Sequence, residues 1–241
     1  MKAILYAQSG PPPMVVSWLD DVLYPFGMYR AGACRVGGEL LRVLLGVDVY
    51  ADLVASYRAG YELEVVRQVV QARVGVCDAR VLVKVAAAME AHAPNVSPYQ
   101  DALETFPLLQ TLGVPLALVG EGSRIGQRLI AEQLRLHGVF QHMVYADPHS
   151  ASLGWCNAFM MLEGFGGLSR ENAVIICADA SRVQSLAADG WLVVHLQRDR
   201  SAGACAKSCG KTQRVFSVVN LYELPEALGL VAWGDGEEVN L

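Results

Sequence analysis

Two neighbouring carboxylates, Asp20 and Asp21, stand directly after an apolar run, Met14–Leu19. Such a run predicts a buried strand, and ligands of open parallel sheets bind where the strands end. A third carboxylate, Asp179, follows a second apolar run, Ala173–Cys177, in the same way. Carboxylates can transfer protons, attack an electrophile or ligate Mg²⁺, so these three side chains are the first candidates for chemistry.

The elements that must position these carboxylates alternate between strands and helices from about residue 101 onward. Apolar runs predict strands at Val114–Val119, His142–Ala146, Ala173–Cys177, Trp191–Leu196 and Val215–Val219. Helical periodicity lies between them at Ala102–Leu112, Arg124–His137, Cys156–Phe165 and Ser181–Ala188. Strands that are apolar on both faces and alternate with helices predict an α/β, Rossmann-like fold, with a parallel sheet covered by helices on both faces.

The region between the first strand and this alternating block has a different pattern. It contains no convincing strand, and its helical patterns lie at Cys34–Leu45, Tyr50–Tyr57, Leu63–Ala72 and Ala79–Glu90. A helical insertion at this point either forms a lid over the site or adds a stabilising subdomain, and both interpretations are open. We therefore predict a core domain made of residues 1–28 and 94–241, with a helical cap domain at 29–93.

Composition excludes several classes of protein. Of the 241 residues 53% are hydrophobic and 18% are charged, and the formal net charge is -5, so no nucleic-acid partner is expected. Charged residues interrupt every long apolar run, so no membrane span is predicted. The first ten residues contain no signal-peptide core, which predicts a cytoplasmic protein. The large apolar content favours a homo-oligomer, because it exceeds what one copy can readily expose.

The segment Trp18–Pro25, which reads Trp-Leu-Asp-Asp-Val-Leu-Tyr-Pro, resembles the first motif of the haloacid dehalogenase (HAD) superfamily. Members of that superfamily mostly hydrolyse phosphate esters, and the resemblance extends over nearly the whole chain. It implies a HAD-like parallel sheet with a helical cap inserted after the first strand. Aligning Leu-Tyr-Pro puts Asp20 on the family's general acid/base and Trp18 on its nucleophile. A shifted register makes Asp20 the nucleophile, but it puts Val22 on the acid/base and displaces Leu-Tyr-Pro.

The same resemblance places the remaining family motifs on residues that lack the required groups. Gly120 falls where the family has a Thr or Ser that binds the phosphoryl group, and Trp155 falls where it has a Lys. Asp179 keeps one carboxylate of the Mg²⁺ site, whereas Val183 and Gln184 occupy the candidate positions of the second. The resemblance implies Mg²⁺ as the cofactor, but little remains of its usual carboxylate ligands.

These losses indicate what the chain does. In the family mechanism a carboxylate attacks phosphorus to form an aspartyl phosphate, while Mg²⁺ and the lysine neutralise charge. Trp18 cannot attack phosphorus, and the hydroxyl, the lysine and one metal carboxylate are also absent. We therefore predict a HAD-like protein of the phosphatase type that has lost catalysis and acts as a binding or structural protein. The alternative is a divergent Mg²⁺-dependent phosphohydrolase that acts on a small phosphorylated metabolite through Asp20 and Asp179.

Several candidate residues have two interpretations. Trp18 and Trp155 either line the cleft, where they could stack a flat ligand, or fill a disused pocket. Asp20 and Asp179 could likewise remain only as turn or cap residues at strand ends, and Asp21 is predicted in that role.

A basic segment follows the predicted strand Trp191–Leu196. It is either a solvated loop or a replacement for the missing lysine, which would predict a small anionic metabolite as the ligand. Its cations are Arg198, Arg200, Lys207, Lys211 and Arg214. The glycines of Gly120–Gly126 precede a helix, but their spacing is one residue longer than a dinucleotide motif requires, so no nucleotide site is predicted there.

Overall fold

The computed structural model describes residues 12–146, 154–166, 168–198 and 214–230, and within 154–166 it describes the side chains of 158–164. The strands in these ranges are β1 (Met14–Trp18), β2 (Leu116–Glu121), β3 (His142–Ala146), β4 (Ala173–Cys177), β5 (Leu192–Leu196) and β6 (Val215–Val218). All six are parallel and form one sheet in the order β3-β2-β1-β4-β5-β6, so β1 lies inside the sheet. The predicted α/β architecture is therefore confirmed.

Strand β1 lies between β2 and β4, so the carboxyl ends of these three strands lie together. All residues of β1 and β4 are buried, which agrees with their continuous apolar character. The register pairs Trp18 with Val119 of β2 and pairs Ser17 with Ile176 of β4. Because these strands are parallel, their carboxyl ends lie side by side at the topological switch point, where such sheets bind ligands.

Four predicted helices lie outside the insertion, and one of them ends earlier than predicted. They are α5 (Gln100–Thr111), α6 (Arg124–Gln133), α7 (Gly154–Gly166) and α8 (Ala180–Ala188). A short helix after β6, α9 (Leu224–Ala227), was not predicted. The sequence predicts a helix that continues to His137, whereas α6 ends at Gln133. Arg135 adopts φ +55°, and this left-handed conformation interrupts the helix before a 3₁₀ turn at Leu136–Gly138.

The insertion between β1 and β2 contains four helices that pack on one another. They are α1 (Phe26–Leu45), α2 (Tyr50–Ser56), α3 (Glu62–Val74) and α4 (Ala79–Glu90). The predicted start of α1 at Cys34 is wrong, because the poor helix formers Gly27 and Gly32 mask a helix that begins at Phe26. Gly32 lies where α1 approaches His92, and a side chain at that position would press on the His92 ring.

Two expectations from the sequence concern the chain as a whole. Among the described residues no helix combines the length and the apolar character needed to cross a bilayer. The division into a core domain (1–28 and 94–241) and a cap domain (29–93) stays a prediction.

Candidate functional site

A cavity of about 320 Å³ opens at the carboxyl ends of β1, β2 and β4. Two of the predicted site residues, Asp20 and Asp179, lie on the same cavity, whereas Trp18 and Gly120 are not among its lining residues. The lining consists of Asp20, Asp21, Phe26, Arg58, Ala59, Tyr61, Glu121, Cys177, Asp179 and Arg182.

The turn after β1 presents Asp20 to the cavity and uses Asp21 to hold its own shape. Asp21 has φ +58°, and its backbone N–H donates to the carbonyl oxygen of Tyr24 at 2.9 Å. Its carboxylate accepts a hydrogen bond from the backbone N–H of Phe26, the first residue of α1, at 2.9 Å. The predicted turn and cap role of Asp21 is therefore confirmed.

Asp20 is a half-buried carboxyl group with an elevated pKa. Burial raises its pKa to about 7, although a hydrogen bond from the Tyr24 hydroxyl opposes the shift. The neighbouring charges of Asp21 and Glu121 raise the pKa further, while the charge of Arg182 lowers it. Near neutral pH this group is therefore close to half protonated, which suits a proton donor or acceptor.

Trp18 fills the space beneath the cavity. Its side chain is 0% exposed, its ring centroid lies 5.9 Å from that of Phe159 in α7, and its Nε1 has no hydrogen-bond partner among the described residues. The guanidinium carbon of Arg182 lies 5.2 Å from the indole centroid. At the end of β1, where the family resemblance places a nucleophilic carboxylate, the chain therefore has a buried aromatic ring.

Gly120 in β2 has no room for a side chain. A Cβ atom there would overlap the side-chain oxygen of Gln127 and crowd the ring of Tyr145. Gln127 is 1% exposed, so it cannot easily swing away. The buried amide of Gln127 thus takes the space that a Thr or Ser at this position would use.

Asp179 has the geometry of a helix cap. One oxygen of its carboxylate accepts the backbone N–H of Arg182 and the hydroxyl of Ser181, both at 2.7 Å, at the start of α8. Partial burial favours a higher pKa, but these hydrogen bonds and the charge of Arg182 outweigh it, and the pKa of Asp179 is lowered. The carboxylate is therefore ionised, and it is engaged by its own helix.

Sequence reasoning missed Arg182, the less exposed of the two described cations that line the cavity. Its guanidinium forms an ion pair with Glu121, the last residue of β2, and only 25% of its side chain is exposed. The family resemblance requires a carboxylate at the position of Val183 or Gln184, and it predicts nothing for the neighbouring arginine. The position of Arg182 shortly after the end of β4 is the feature of the sequence that could have identified it.

The inserted helices contribute one wall of the cavity through the segment 57–61, which joins α2 to α3. Arg58 stacks on Tyr61, with its guanidinium carbon 4.9 Å from the ring centroid. Glu62 fixes the segment, because its buried Oε1 accepts the Tyr57 hydroxyl at 2.8 Å and the Gly60 N–H at 3.1 Å. The sequence contains no motif that predicts this wall.

The basic segment contributes no free cation at either of its described residues. Arg198 donates to Oδ2 of buried Asp101 at 2.7 Å and to the Val22 carbonyl oxygen at 2.8 Å, and it stacks on Tyr99 at 3.7 Å. Arg214 donates to the carbonyl oxygen of Gly190. Arg198 therefore stabilises the turn after β1 and is not available as an anion ligand.

Some predicted site residues lie outside what the structure describes. These are Arg200, Lys207 and Lys211, together with the side chain of Trp155, whose backbone is in the first turn of α7. Their predicted contributions stay predictions.

The glycines that precede α6 are explained by packing. Gly122 has φ +130° and lies against Ala59 of the inserted segment, and Gly126 lies against the Tyr29 hydroxyl. Ser123 caps α6 through the Gly126 N–H at 3.5 Å.

The described residues do not fit a Mg²⁺ ion. Within the described ranges no group of three or more His, Cys, Asp or Glu side chains could hold a metal. Mg²⁺ requires near-octahedral oxygen ligands. Here Asp20 is close to half protonated near neutral pH, Asp179 caps its helix, and the guanidinium of Arg182 lies on the same cavity.

Comparison with known proteins shows the fold. No family model matches the sequence, and no curated protein matches it. Among solved structures, the putative HAD-hydrolase YfnB from Bacillus subtilis, bound to magnesium, matches with a TM-score of 0.65 and 16% identity, over 91% of this chain and 99% of its own. A haloacid dehalogenase-like family hydrolase from Xanthomonas campestris matches with a TM-score of 0.61 and 16% identity, over 91% and 96%. The L-2-haloacid dehalogenase from Xanthobacter autotrophicus matches with a TM-score of 0.58 and 15% identity, over 92% and 100%.

The chain therefore has a HAD-like fold along nearly its whole length, as the sequence resemblance implies. Identities this low show the fold alone, so the function must be argued from the residues of the cavity.

Proposed function

We propose that this chain is a binding or structural protein that uses a HAD-like hydrolase fold and has lost phosphoryl transfer. The observation that carries the proposal is the burial of Trp18 at the end of β1. Transfer through an aspartyl phosphate needs a carboxylate at that point, and the nitrogen electron pair of an indole belongs to its aromatic system, so the ring cannot replace the carboxylate.

Two further observations support the loss. Gln127 occupies the space beside Gly120, so a hydroxyl-bearing side chain at this position would overlap a buried amide. The described part of the cavity also does not fit Mg²⁺, so the charge of a transferring phosphoryl group would lack its usual metal. The cavity itself remains open, and at about 320 Å³ it could hold a small metabolite.

A second candidate function is a divergent Mg²⁺-dependent phosphohydrolase that acts through Asp20 and Asp179. One observation favours it, because both carboxylates lie on the same cavity and the pKa of Asp20 is about 7, which suits general acid/base catalysis. It still lacks a nucleophile in the described part of the site.

An assay of phosphate esters separates the two functions. We expect no turnover above background for the wild-type chain or for Trp18→Asp, with Mg²⁺ present, because restoring one carboxylate leaves the other groups missing. Turnover by the wild-type chain that Asp20→Ala abolishes, and that the exposed control Asp189→Ala leaves unchanged, would establish the hydrolase instead.

The proposal also covers the oligomeric state, the location and the ligand of the protein. A homo-oligomer is supported by exposed apolar side chains, among them Leu103 and Leu108 of α5 and Leu112 directly after it, and a cytoplasmic location stays part of the proposal. An anionic ligand is proposed only through Lys207 and Lys211. Light scattering of the purified chain tests the homo-oligomer. Phosphate-ester binding to a Lys207→Ala/Lys211→Ala variant tests the anionic ligand.

A further inference from the structure

The geometry points to Arg182 as a built-in cation that takes the place of a metal ion in the cavity. The inference rests on the proposed loss of phosphoryl transfer. It adds that the carboxylates at the ends of β1, β2 and β4 are neutralised by a side chain of the chain itself.

The contacts of Arg182 link it to the strand ends around the cavity. Its guanidinium pairs with Glu121 at the end of β2 and lies over the ring of Trp18 at the end of β1. Its backbone N–H binds the Asp179 carboxylate that follows β4. One residue thus contacts groups from all three strand ends that meet at the cavity.

The charges around Arg182 explain why a cation is needed there. Among the described residues four carboxyl groups line the cavity, those of Asp20, Asp21, Glu121 and Asp179, and Arg58 is the one other described cation in its lining. Arg58 is exposed and stacks on Tyr61 at the outer wall. Without Arg182, the inner carboxylates would repel one another in a partly buried space.

A tethered guanidinium also excludes a metal. An arginine guanidinium is a permanent positive charge in proteins, and that of Arg182 already contacts the Glu121 carboxylate and the face of the Trp18 ring. A divalent cation entering the cavity would meet a fixed positive charge and would have to displace it from Glu121. The Mg²⁺ ion that the family resemblance implies and the Arg182 side chain therefore cannot occupy the cavity together.

Removing the guanidinium tests the inference. We expect Arg182→Ser to bind one Mn²⁺ per chain, detected as loss of the free Mn²⁺ signal by electron paramagnetic resonance, while the wild-type chain binds none. Arg182→Lys keeps the charge and should also bind none. Mg²⁺ at about ten times its Kd should raise the Tm of Arg182→Ser by ~3–5 °C and leave the wild-type Tm unchanged.

Two variants show whether the new ion is held by the cavity. Glu121→Gln added to Arg182→Ser should weaken Mn²⁺ binding at least ~10-fold, because it removes one ligand of a small carboxylate set. Arg128→Ser removes a cation that pairs with Glu132 on the exposed surface of α6, and it should bind no Mn²⁺. Methylguanidinium added to Arg182→Ser should compete with Mn²⁺.

The outcomes that overturn the inference are equally specific. One-to-one Mn²⁺ binding by the wild-type chain would show that the metal and Arg182 coexist. A folded Arg182→Ser that binds no Mn²⁺ would show that the carboxylates are not a latent cation site. If Arg182→Ser does not fold, Arg182→Met, which keeps the packing over Trp18, is measured instead. None of these readouts uses turnover, so the inference can fail while the proposed function stands.

Discussion

Tyr24 donates a hydrogen bond from its hydroxyl to Oδ1 of Asp20 across 2.5 Å, and both residues belong to the turn that follows β1. The bond favours the ionised carboxylate, yet burial is the larger effect and holds the pKa of Asp20 at about 7. This carboxyl group therefore changes its protonation state where most carboxylates are fully ionised.

The elevated pKa predicts how stability depends on pH. Asp20 has a pKa of about 7 in the folded chain against an ordinary value of 3.8, so the folded state holds the proton more tightly than the unfolded state. Its contribution is fully present below pH ~4 and is lost as the pH rises through ~7, on the order of 4 kcal/mol in all. Asp20→Asn should therefore flatten the fall in unfolding free energy over this range, as measured by urea denaturation.

Asp189→Asn is the matched control, because Asp189 is exposed and does not line the cavity. It should leave the pH dependence unchanged. If Asp20→Asn retains the wild-type slope between pH ~4 and ~7, Asp20 does not carry the raised pKa.

The contact between Gly120 and Gln127 predicts that a substitution at Gly120 lowers stability and that a second substitution at Gln127 restores part of it. Gly120→Thr should lower the free energy of unfolding by about 1–3 kcal/mol, because its side chain overlaps a buried amide. Adding Gln127→Ala opens that space and should restore part of the loss. A double-mutant cycle in urea measures the coupling, and additive effects would mean that the two residues do not compete for one space.

The cost of losing Arg198 should also be measurable. Arg198→Ala leaves the buried carboxylate of Asp101 without its cation, and we expect a loss of about 3 kcal/mol in unfolding free energy. The exposed control Arg128→Ala, whose partner is Glu132, should change stability by less than ~0.5 kcal/mol. Equal losses for the two variants would contradict the structural role of Arg198.

The sequence predicts the sheet well because its strands are apolar on both faces. All six predicted strands are present within two residues of their predicted bounds, and the cap role of Asp21 follows from its residue type. The start of α1 and the end of α6 were not predictable by the same reasoning. Glycines lower the helix propensity at the start of α1, and tertiary structure sets the backbone of Arg135 at the end of α6.

The candidate site was predicted only in part, for a physical reason. Asp20 and Asp179 follow strands, so their position at the sheet edge can be read from the chain. The partnership of Arg182 with Glu121 and the support of the 57–61 wall by Glu62 depend on which helices lie against which strand ends. Such contacts are set by the folded topology, and no local spacing encodes them.

The contacts of Arg198 have a consequence for the order of assembly. Its guanidinium binds carbonyl oxygens of Asp21 and Val22, which lie 177 and 176 positions earlier in the chain. Contacts this distant in sequence require closure of a very long loop, so they form late in folding. The turn that carries Asp20 therefore reaches its final geometry only after β5 has been synthesised and has joined the sheet.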